Sequence, residues 1–317
     1  IGPVTDALMS HLGCTNTIAC PSFPENGRTV YRGNLFVNDG LLSESSLRNH
    51  PLTPMKDPNL KRVLAAQSKS NISNIYFEQV EKGHTEISAE ITKNKNSSQK
   101  IHILDAITNE HLRSIGKACI DLPLITGGSA VAQELPNNYR KSGLIPAVKL
   151  NQFFDAPLGQ SVILSGSCSE ATRAQVEYAK NKVLHFCLDA NAILNDDPVV
   201  EEAIKWAEQA MKEDNPILIY SSADPELVAN IQKSRGRVEV GAKVEAVIGK
   251  IAQELKQLGV RRYVVAGGET SGAVINSLGI KTMEIGPQID PGVPWTKSLG
   301  ATPLALALKS GNFGTED

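Results

Sequence analysis

The sequence has few features of an oxidising or membrane environment. Its 317 residues include five cysteines, an odd number with no Cys-x-x-Cys pair, which argues against a disulfide framework or a zinc site. No apolar run approaches the roughly 20 residues needed to span a bilayer, and the first residues lack the basic and apolar regions of a signal peptide. We therefore expect a cytoplasmic protein that has no membrane partner.

The chain also lacks an excess of either charge. Lys and Arg number 32 against 34 Asp and Glu, and the pI is about 6.4, so no basic footprint for nucleic acid is present. The six histidines show no paired spacing such as H-E-x-x-H, and we assign no metal-ligating residue. Small-molecule chemistry is the class that remains, and the composition leaves the oligomeric state open, with a homodimer as one option.

Apolar strand-like segments alternate with amphipathic helix-like segments, which predicts an α/β fold. A chain of this length can bury two ordinary cores, and we predict two layered α/β domains with a ligand cleft between them, at residues 1–152 and 153–317. Prolines interrupt the predicted junction at 145–160. The predicted strands include NTIACP, RTVYRGNLFV, NIYFEQV, KIHILDA, SVILSGS, VLHFCLD, PILIYSSA and RRYVVA, and the predicted helices begin near 57, 109, 167, 197 and 224 and span 241–258.

A glycine-rich turn follows the strand RRYVVA and precedes a helix. Such a turn lets successive backbone N–H groups converge on an anion, to which a helix N-terminus adds partial positive charge. It is not a Walker A loop, because no Lys precedes the Ser or Thr, and an ordinary tight connection is the alternative. The turn contains Gly267, Gly268, Glu269, Thr270, Ser271 and Gly272.

Two further small-residue turns follow predicted strands in the same half. In a doubly wound sheet, turns at the carboxyl ends of strands line one crevice, where ligands bind. Three such turns favour a nucleotide site over three unrelated connections. Lys309 could meet a phosphate beside the last turn, although a Lys at the end of an element is commonly solvated. The two turns contain Ser165, Gly166, Ser167, Cys168 and Ser169, and Ser310, Gly311, Asn312, Phe313 and Gly314.

Cys168 offers a competing interpretation, since a thiol at a helix N-terminus can act as a nucleophile. Such a hydrolase, using Cys168 or Ser167, would need a positioned base. His185 is the only histidine of this half, and it lies in a segment that we predict to be a buried strand. Packing in the core is the expected role of this histidine.

The first half carries candidate residues for a polar substrate. Arg28 follows Gly27 and could hold a carboxylate or phosphate with two parallel hydrogen bonds, or could be an ordinary surface arginine. His50 and Thr53 lie in the proline-rich segment HPLTPM. Prolines make this segment stiff, so it could hold His50 and Thr53 for hydrogen bonds to sugar hydroxyls, or it could be a plain connection. The segment LITGGSAVA offers further backbone donors, again with a simple turn as the alternative.

Several of these motifs together resemble the four-carbon acid-sugar kinase family, in particular its 3-oxo-tetronate kinase branch. The resemblance covers nearly the whole chain, and it rests on GGETSGAV, SGSCS, KSGNFG, PENGRTVYRG and HPLTPM. It implies a first domain that binds sugar acid and a second that binds ATP, with phosphoryl transfer to the terminal hydroxyl. It also implies that Ser165, the turn from Gly267 to Gly272, and Gly311 contact the nucleotide. Phosphoryl transfer in turn calls for Mg²⁺.

The chain departs from the family pattern at its start, because the Asp-Asp-x-Thr-Gly segment typical of the family is absent. We therefore expect the catalytic base and part of the sugar pocket to lie outside this sequence, and we assign no catalytic residue. Threonate and erythronate remain alternative substrates. Two other classes stay open beside the kinase, namely the thiol or serine hydrolase and a ligand sensor without turnover.

Overall fold

The structure is a computed structural model, and it describes residues 1–49, 53–93, 99–146, 154–221 and 237–315. The chain divides into two compact units, Ile1–Lys149 and Leu150–Asp317. The α/β fold class predicted from the sequence is confirmed in both units.

A four-stranded parallel sheet forms the centre of the N-terminal unit. Every residue of its central strand β1 is buried, which agrees with the continuous apolar character expected of a parallel strand covered on both faces. The strands lie in the order β5-β6-β1-β7. Their bounds are β1 Asn16–Cys20, β5 Asn71–Ile75, β6 Lys100–Leu104 and β7 Thr126–Gly127.

A small antiparallel sheet of the same unit is built on a tight hairpin. Its strands are β2 Arg28–Tyr31, β3 Asn34–Val37 and β4 Gly40–Leu41, in that order. The turn between β2 and β3 consists of Arg32 and Gly33, with φ angles of 51° and 70°. Positive φ at both positions is the type I′ geometry that matches the twist of a two-residue hairpin. The helices of the unit are α1 Gly2–Leu12, α2 Leu60–Ala65, α3 Phe77–Val80, α4 His84–Thr92, α5 Asn109–Ala118 and α6 Leu135–Lys141.

The C-terminal unit contains a seven-stranded sheet in the order β12-β13-β14-β11-β8-β10-β9. The five strands from β14 to β9 are parallel, and an antiparallel hairpin, β12–β13, continues the sheet beside β14. The bounds are β8 Gln160–Ser165, β9 Leu184–Leu188, β10 Ile217–Ser221, β11 Val260–Ala266, β12 Met283–Asp290, β13 Val293–Ser298 and β14 Ala305–Lys309.

Amphipathic helices cover this sheet. The apolar face predicted for the long helix is confirmed, since Ile248, Ile251 and Leu255 are fully buried against the sheet. Tyr263 is also fully buried, and its hydroxyl donates to the carbonyl of Ala252 at 3.2 Å. The helices are α7 Glu170–Lys180, α8 Ala190–Leu194, α9 Val199–Ala210, α10 Arg237–Gln257 and α11 Gly268–Ser277. No helix in the described ranges is both long enough and apolar enough to cross a membrane.

Several element predictions need correction. The segment NIYFEQV is not one strand, because β5 ends at Ile75 and helix α3 begins at Phe77. The Gln79 side chain accepts the Tyr76 amide at 2.9 Å, which stabilises this helix start. The hairpin β12–β13 was not predicted, and the C-terminal leucine-rich segment, which suited a helix or a strand, is strand β14. The helix predicted to begin at Asp224 lies outside the described residues.

Candidate functional site

The three small-residue turns of the C-terminal unit meet at one edge of its sheet. They follow β8, β11 and β14, which are direct neighbours. Ala266 pairs with Ser165 on one side and with Lys309 on the other, so the three strands end at the same level. The convergence predicted from the strand-to-helix pattern is therefore present in the fold.

Hydrogen bonds and close packing hold these turns together. The Gly267 amide donates to the Lys309 carbonyl at 3.0 Å, and the Gly166 amide donates to the Ala266 carbonyl at 3.3 Å. A β-carbon on Gly267 would lie 2.7 Å from Thr270 Oγ1, and one on Gly311 would collide with Ser167 Oγ. Glycine is required at both positions because the turns approach each other too closely for a side chain.

The N-terminus of helix α11 presents main-chain donors at this edge. Gly267 is its N-cap, with φ 124°, and as a glycine it supplies no capping side chain. The first amides of a helix have no partner inside it, and here they belong to Gly268, Glu269 and Thr270. A β-carbon on Gly268 would meet nothing within 4 Å, so the backbone is approachable there. This geometry suits an anion.

Helix α7 begins later than the start near residue 167 that the sequence predicts, where Ser167 would be the N-cap. Its N-cap is Ser169, whose hydroxyl accepts the Thr172 amide at 3.3 Å. Ser167 is not the cap, and its Oγ instead accepts the Ser169 amide at 3.2 Å. Residues 166–169 form a connection without regular structure between the end of β8 and the start of the helix. Ser165, the last residue of β8, is buried.

The Gly311 carbonyl is one of the groups that bind the third turn to helix α7. The Gly311 carbonyl accepts from the Ser169 hydroxyl and from Thr172 Oγ1, the latter at 2.7 Å. The Phe313 amide donates to the Ser310 carbonyl at 3.1 Å and closes the turn. Asn312 lies half-buried inside it. The turn is thus held from the side of α7 as well as by β14.

Lys309 is buried, which differs from the solvated position expected for a lysine at the end of an element. Its ammonium donates to Thr172 Oγ1 at 3.0 Å and to Gln175 Oε1 at 2.6 Å. Desolvation lowers the pKa of Lys309 to about 8. Sequence reasoning noticed this lysine but not its burial, and the apolar alternation of β14, which places it on the buried side, is the signal that could have indicated it.

The hydrolase alternative has little geometric support among the described residues. Cys168 is exposed, yet neighbouring atoms partly desolvate its thiol and raise its pKa, which opposes formation of a thiolate. His185 lies on β9, the outermost strand of the sheet, and is exposed, so the predicted core position is wrong. Its ring contacts Tyr220 at a centroid distance of 6.2 Å.

The substrate candidates lie in the N-terminal unit. Arg28 is half-buried at the start of β2, and desolvation lowers its pKa. Its backbone pairs with Phe23, with the Phe23 amide donating to the Arg28 carbonyl at 2.7 Å. Thr53 is exposed in the segment that precedes α2, and His50 lies outside the described residues. A joint role for these three residues in a sugar pocket remains a prediction.

A buried carboxylate of the same unit was missed by sequence reasoning. Asp105 directly follows β6 and is fully buried. It accepts the amides of Arg32, Gly33 and Phe77 at 2.8, 2.9 and 2.9 Å. Burial raises its pKa, although the three amide bonds act in the opposite direction. The signal was an aspartate directly after an apolar strand, in KIHILDA.

The glycines of LITGGSAVA have a structural role that supports the simple-turn interpretation. Gly127 has φ 149°, and a β-carbon there would collide with the Cys20 carbonyl. The Gly128 amide donates to that same carbonyl at 3.0 Å. These contacts attach β7 to β1 and occupy the Gly128 donor that the sequence had suggested for a ligand.

Two family models match the chain. One is described as a sugar-binding N-terminal domain and covers residues 1–135, and the other as a nucleotide-binding C-terminal domain and covers residues 162–317. The second match contains all three turns. A sugar-binding domain followed by a nucleotide-binding domain defines the class as a sugar kinase.

Close relatives specify the family. A 3-oxo-tetronate kinase from Burkholderia multivorans is 46% identical over 317 residues, which is 100% of this chain and 74% of the relative. One from Pseudomonas savastanoi is 46% identical and is covered to 73%. A solved structure from Salmonella typhimurium LT2 has a TM-score of 0.79 at 38% identity, with 100% of this chain and 74% of that chain covered. One from Haemophilus influenzae has a TM-score of 0.67, also at 38% identity, with 100% and 75% covered.

The chain therefore belongs to the four-carbon acid sugar kinase family. It is a phosphotransferase that uses ATP, as the sequence motifs predicted.

Proposed function

We propose that this kinase transfers the γ-phosphate of ATP to the terminal hydroxyl of 3-oxo-tetronate, giving 3-oxo-tetronate 4-phosphate. The relatives that carry the name 3-oxo-tetronate kinase support this substrate over threonate or erythronate. In the reaction, the bond between the γ-phosphorus and the ADP oxygen breaks, a bond to the substrate oxygen forms, and the hydroxyl loses its proton. We assign no side chain to the acceptance of that proton.

The observation that carries the proposal is the meeting of the three turns at the ends of β8, β11 and β14. We propose that this edge binds the polyphosphate of ATP, mainly through main-chain amides of the turn from Gly267 to Gly272. The other nucleotide residues in the proposal are Ser165, Gly166, Ser167, Ser310, Gly311 and Asn312. Residues 153–317 would then be the nucleotide-binding domain and residues 1–152 the sugar-acid-binding domain, with Arg28, His50 and Thr53 toward the sugar acid.

Magnesium belongs to the proposal because ATP-dependent phosphoryl transfer uses it to neutralise charge. Mg²⁺ keeps several waters and needs only one or two carboxylates beside the phosphates. The exposed Glu269 lies in the first turn of α11. Burial, and then the nearby charge of Glu269, raises the pKa of Glu245. We propose these two carboxylates as candidate oxygen donors to a hydrated Mg²⁺, whose charge would offset the repulsion between them.

Gly268→Val tests the nucleotide site directly. A β-carbon on Gly268 would meet no protein atom within 4 Å, so the variant should fold. The added side chain would, however, lie in front of the amides at the α11 N-terminus and prevent a phosphate from approaching them. We expect ATP affinity, measured by calorimetry, to fall about tenfold or more, which corresponds to roughly 1.4 kcal/mol or more.

The matched control is Gly40→Val, on β4 of the N-terminal unit, where a β-carbon also has room. This variant should bind ATP as the wild type does. Equal ATP affinity of both variants and the wild type would remove the α11 turn from the site.

Mass spectrometry of a panel of four-carbon acids incubated with Mg-ATP would identify the substrate. Exclusive phosphorylation of threonate or erythronate would overturn the assignment of 3-oxo-tetronate as the substrate. The homodimer remains a prediction, which light scattering after size-exclusion chromatography tests.

A further inference from the structure

The ammonium of Lys309 is a buried charge with neutral partners. Lys309 is 8% exposed, and its ammonium donates to Thr172 Oγ1, Gln175 Oε1 and, at 3.5 Å, the Gly311 carbonyl. No carboxylate of the described residues lies within 4.0 Å of its Nζ. Buried charges in proteins are normally paired, because an isolated one carries a large desolvation cost. The described residues therefore supply no anionic partner for this charge.

The surroundings of this ammonium connect it to the turn at 310–314. Ser169, Thr172 and Gln175 occur three residues apart on helix α7, and all three bind that turn. The Gln175 amide group donates to the Phe313 carbonyl at 3.3 Å and to the Thr315 carbonyl at 2.5 Å. Because its Oε1 accepts from Lys309, this glutamine links the ammonium to the C-terminal end of the turn.

The backbone of Lys309 connects it to the second turn as well. Its carbonyl accepts the Gly267 amide at 3.0 Å, and Gly267 is the N-cap of α11. One residue thus contacts the third turn through its side chain and the second turn through its main chain. Its charge lies at the edge of the sheet where β11 and β14 end and both turns begin.

We propose that Lys309 is a positioning residue of the nucleotide site, which fixes the turn at 310–314 against helix α7 and supplies a buried positive charge to the bound polyphosphate. The inference rests on the proposed nucleotide site and deepens it. No ion pair within the described chain neutralises this charge, so a polyanion gains its full attraction.

Other ionisable groups lie on the elements next to Lys309. Asp290, at the end of β12, uses its carboxylate to accept the Thr315 amide at 2.9 Å. Glu177 of α7 pairs with Lys180 at 2.9 Å. On α7, Glu170, Arg173 and Tyr178 are exposed, as are Cys168 before that helix and Glu269 on α11. The strands paired with β14 carry Arg261, Arg262 and Tyr263 on β11 and Lys297 on β13.

The pH dependence of ATP binding gives a readout that a purely structural lysine would not move. Since the pKa of Lys309 is lowered to about 8, its ammonium is charged at pH 7 and mostly neutral at pH 9. ATP affinity of the wild type should therefore fall about tenfold across this interval, as the charged fraction falls. The arginine of Lys309→Arg stays charged throughout, so this variant should lack the fall.

Calorimetry with Mg-ATP at pH 7 and pH 9 tests the inference on the wild type, Lys309→Met, Lys309→Arg and the control Lys281→Met, whose lysine is exposed in the same unit. Lys309→Met should bind about tenfold more weakly at pH 7, the loss expected for one charge-assisted contact, and should show no pH dependence. Lys281→Met should match the wild type.

The outcomes separate the two proposals. Wild-type protein that binds no ATP overturns the nucleotide site and this inference with it. Wild-type protein that binds ATP equally at both pH values, with Lys309→Met within twofold of it, overturns only the role of Lys309. Should Lys309→Met fail to fold, the wild type and Lys309→Arg decide the question, because identical pH profiles for these two proteins would refute the inference.

Discussion

The two units use the carboxyl ends of their parallel strands in opposite ways. In the N-terminal unit, Asp105 follows β6 and takes up the amides of Arg32, Gly33 and Phe77. In the C-terminal unit, the corresponding edge carries the N-terminus of α11 and the ammonium of Lys309, which pairs with no carboxylate of the described residues. A protein anion thus accepts the amides at the first edge, while under the proposed function the amides at the start of α11 bind an anion from outside.

Under the proposed function, this difference accounts for the small residues in the turn after β11. An aspartate can satisfy three amides at fixed positions, which makes a rigid connection. A ligand must enter and leave, so the turns that receive it need exposed backbone and little side-chain bulk. Gly268 and Gly272, where a β-carbon would meet nothing within 4 Å, have this property.

The tryptophans make the comparison measurable, because Trp206 and Trp295 both lie in the C-terminal unit. Tryptophan fluorescence therefore follows the unfolding of that unit alone. Hydrogen exchange measured by mass spectrometry on peptides of residues 1–146 follows the other.

Asp105→Ala should have the largest effect. Removing the carboxylate leaves three amides without an acceptor, and we expect the N-terminal unit to lose about 4 kcal/mol of unfolding free energy. Faster hydrogen exchange at residues 28–37 and 76–80 would report this loss, while the fluorescence transition in urea should stay in place. Unchanged exchange in the hairpin would contradict the role given to Asp105, and Asp105→Asn, which keeps one acceptor oxygen, should be intermediate.

Lowering the pH should reduce the unfolding free energy of the N-terminal unit by somewhat less than Asp105→Ala does. His102 is buried in β6, with Ser73 Oγ at 3.0 Å from Nδ1 and Asn16 Oδ1 at 3.2 Å from Nε2. Desolvation, followed by the charge of Lys100, lowers its pKa from 6.5 to about 4. The unfolded chain therefore binds a proton that the folded one does not, and stability falls between pH 6.5 and 4 by up to about 3 kcal/mol.

Hydrogen exchange of β6 peptides at pH values across this window, corrected for the intrinsic exchange rate, measures that effect. His102→Gln removes the titrating ring and should flatten the pH dependence. Equal acid sensitivity of the wild type and this variant would assign the effect to another group.

The smallest expected effects concern the N-caps of two helices, one in each unit, which can be compared directly. Ser169 caps α7, and Thr108 caps α5 by accepting the His111 amide at 3.3 Å. Alanine at either position should cost about 1 kcal/mol of stability in its own unit. Only Ser169→Ala should also weaken ATP binding, by a few fold, because its hydroxyl holds the Gly311 carbonyl. A similar loss of affinity in Thr108→Ala would mean that capping by itself, not the turn, controls binding.

The C-terminal unit was the more predictable of the two from sequence. Apolar runs such as SVILSGS and RRYVVA, each followed by small residues, indicated both the strands and the turns that now lie together. The pattern works because a buried parallel strand is apolar throughout and the following turn must begin a helix.

The predictions failed where tertiary contacts outweigh local pattern. Phe77 and Val80 are residue types that favour strands. The Asp105 carboxylate, 28 residues away in the sequence, nevertheless accepts the Phe77 amide, and a helix begins at Phe77. The hairpin β12–β13 escaped notice because Gly286, Pro287 and Pro294 break its alternation. Likewise, the apolar segment at β9 gave no sign that it forms an exposed edge.

The irregular hairpin has a consequence for how the protein behaves at high concentration. Strand β12 is an outer strand of the larger sheet, with register shifts around Gln288 and a proline at 287. Such kinks and missing donors prevent another chain from adding a strand in continuous register. The hairpin thus shields β14 from intermolecular strand addition and protects the unit against aggregation at that edge.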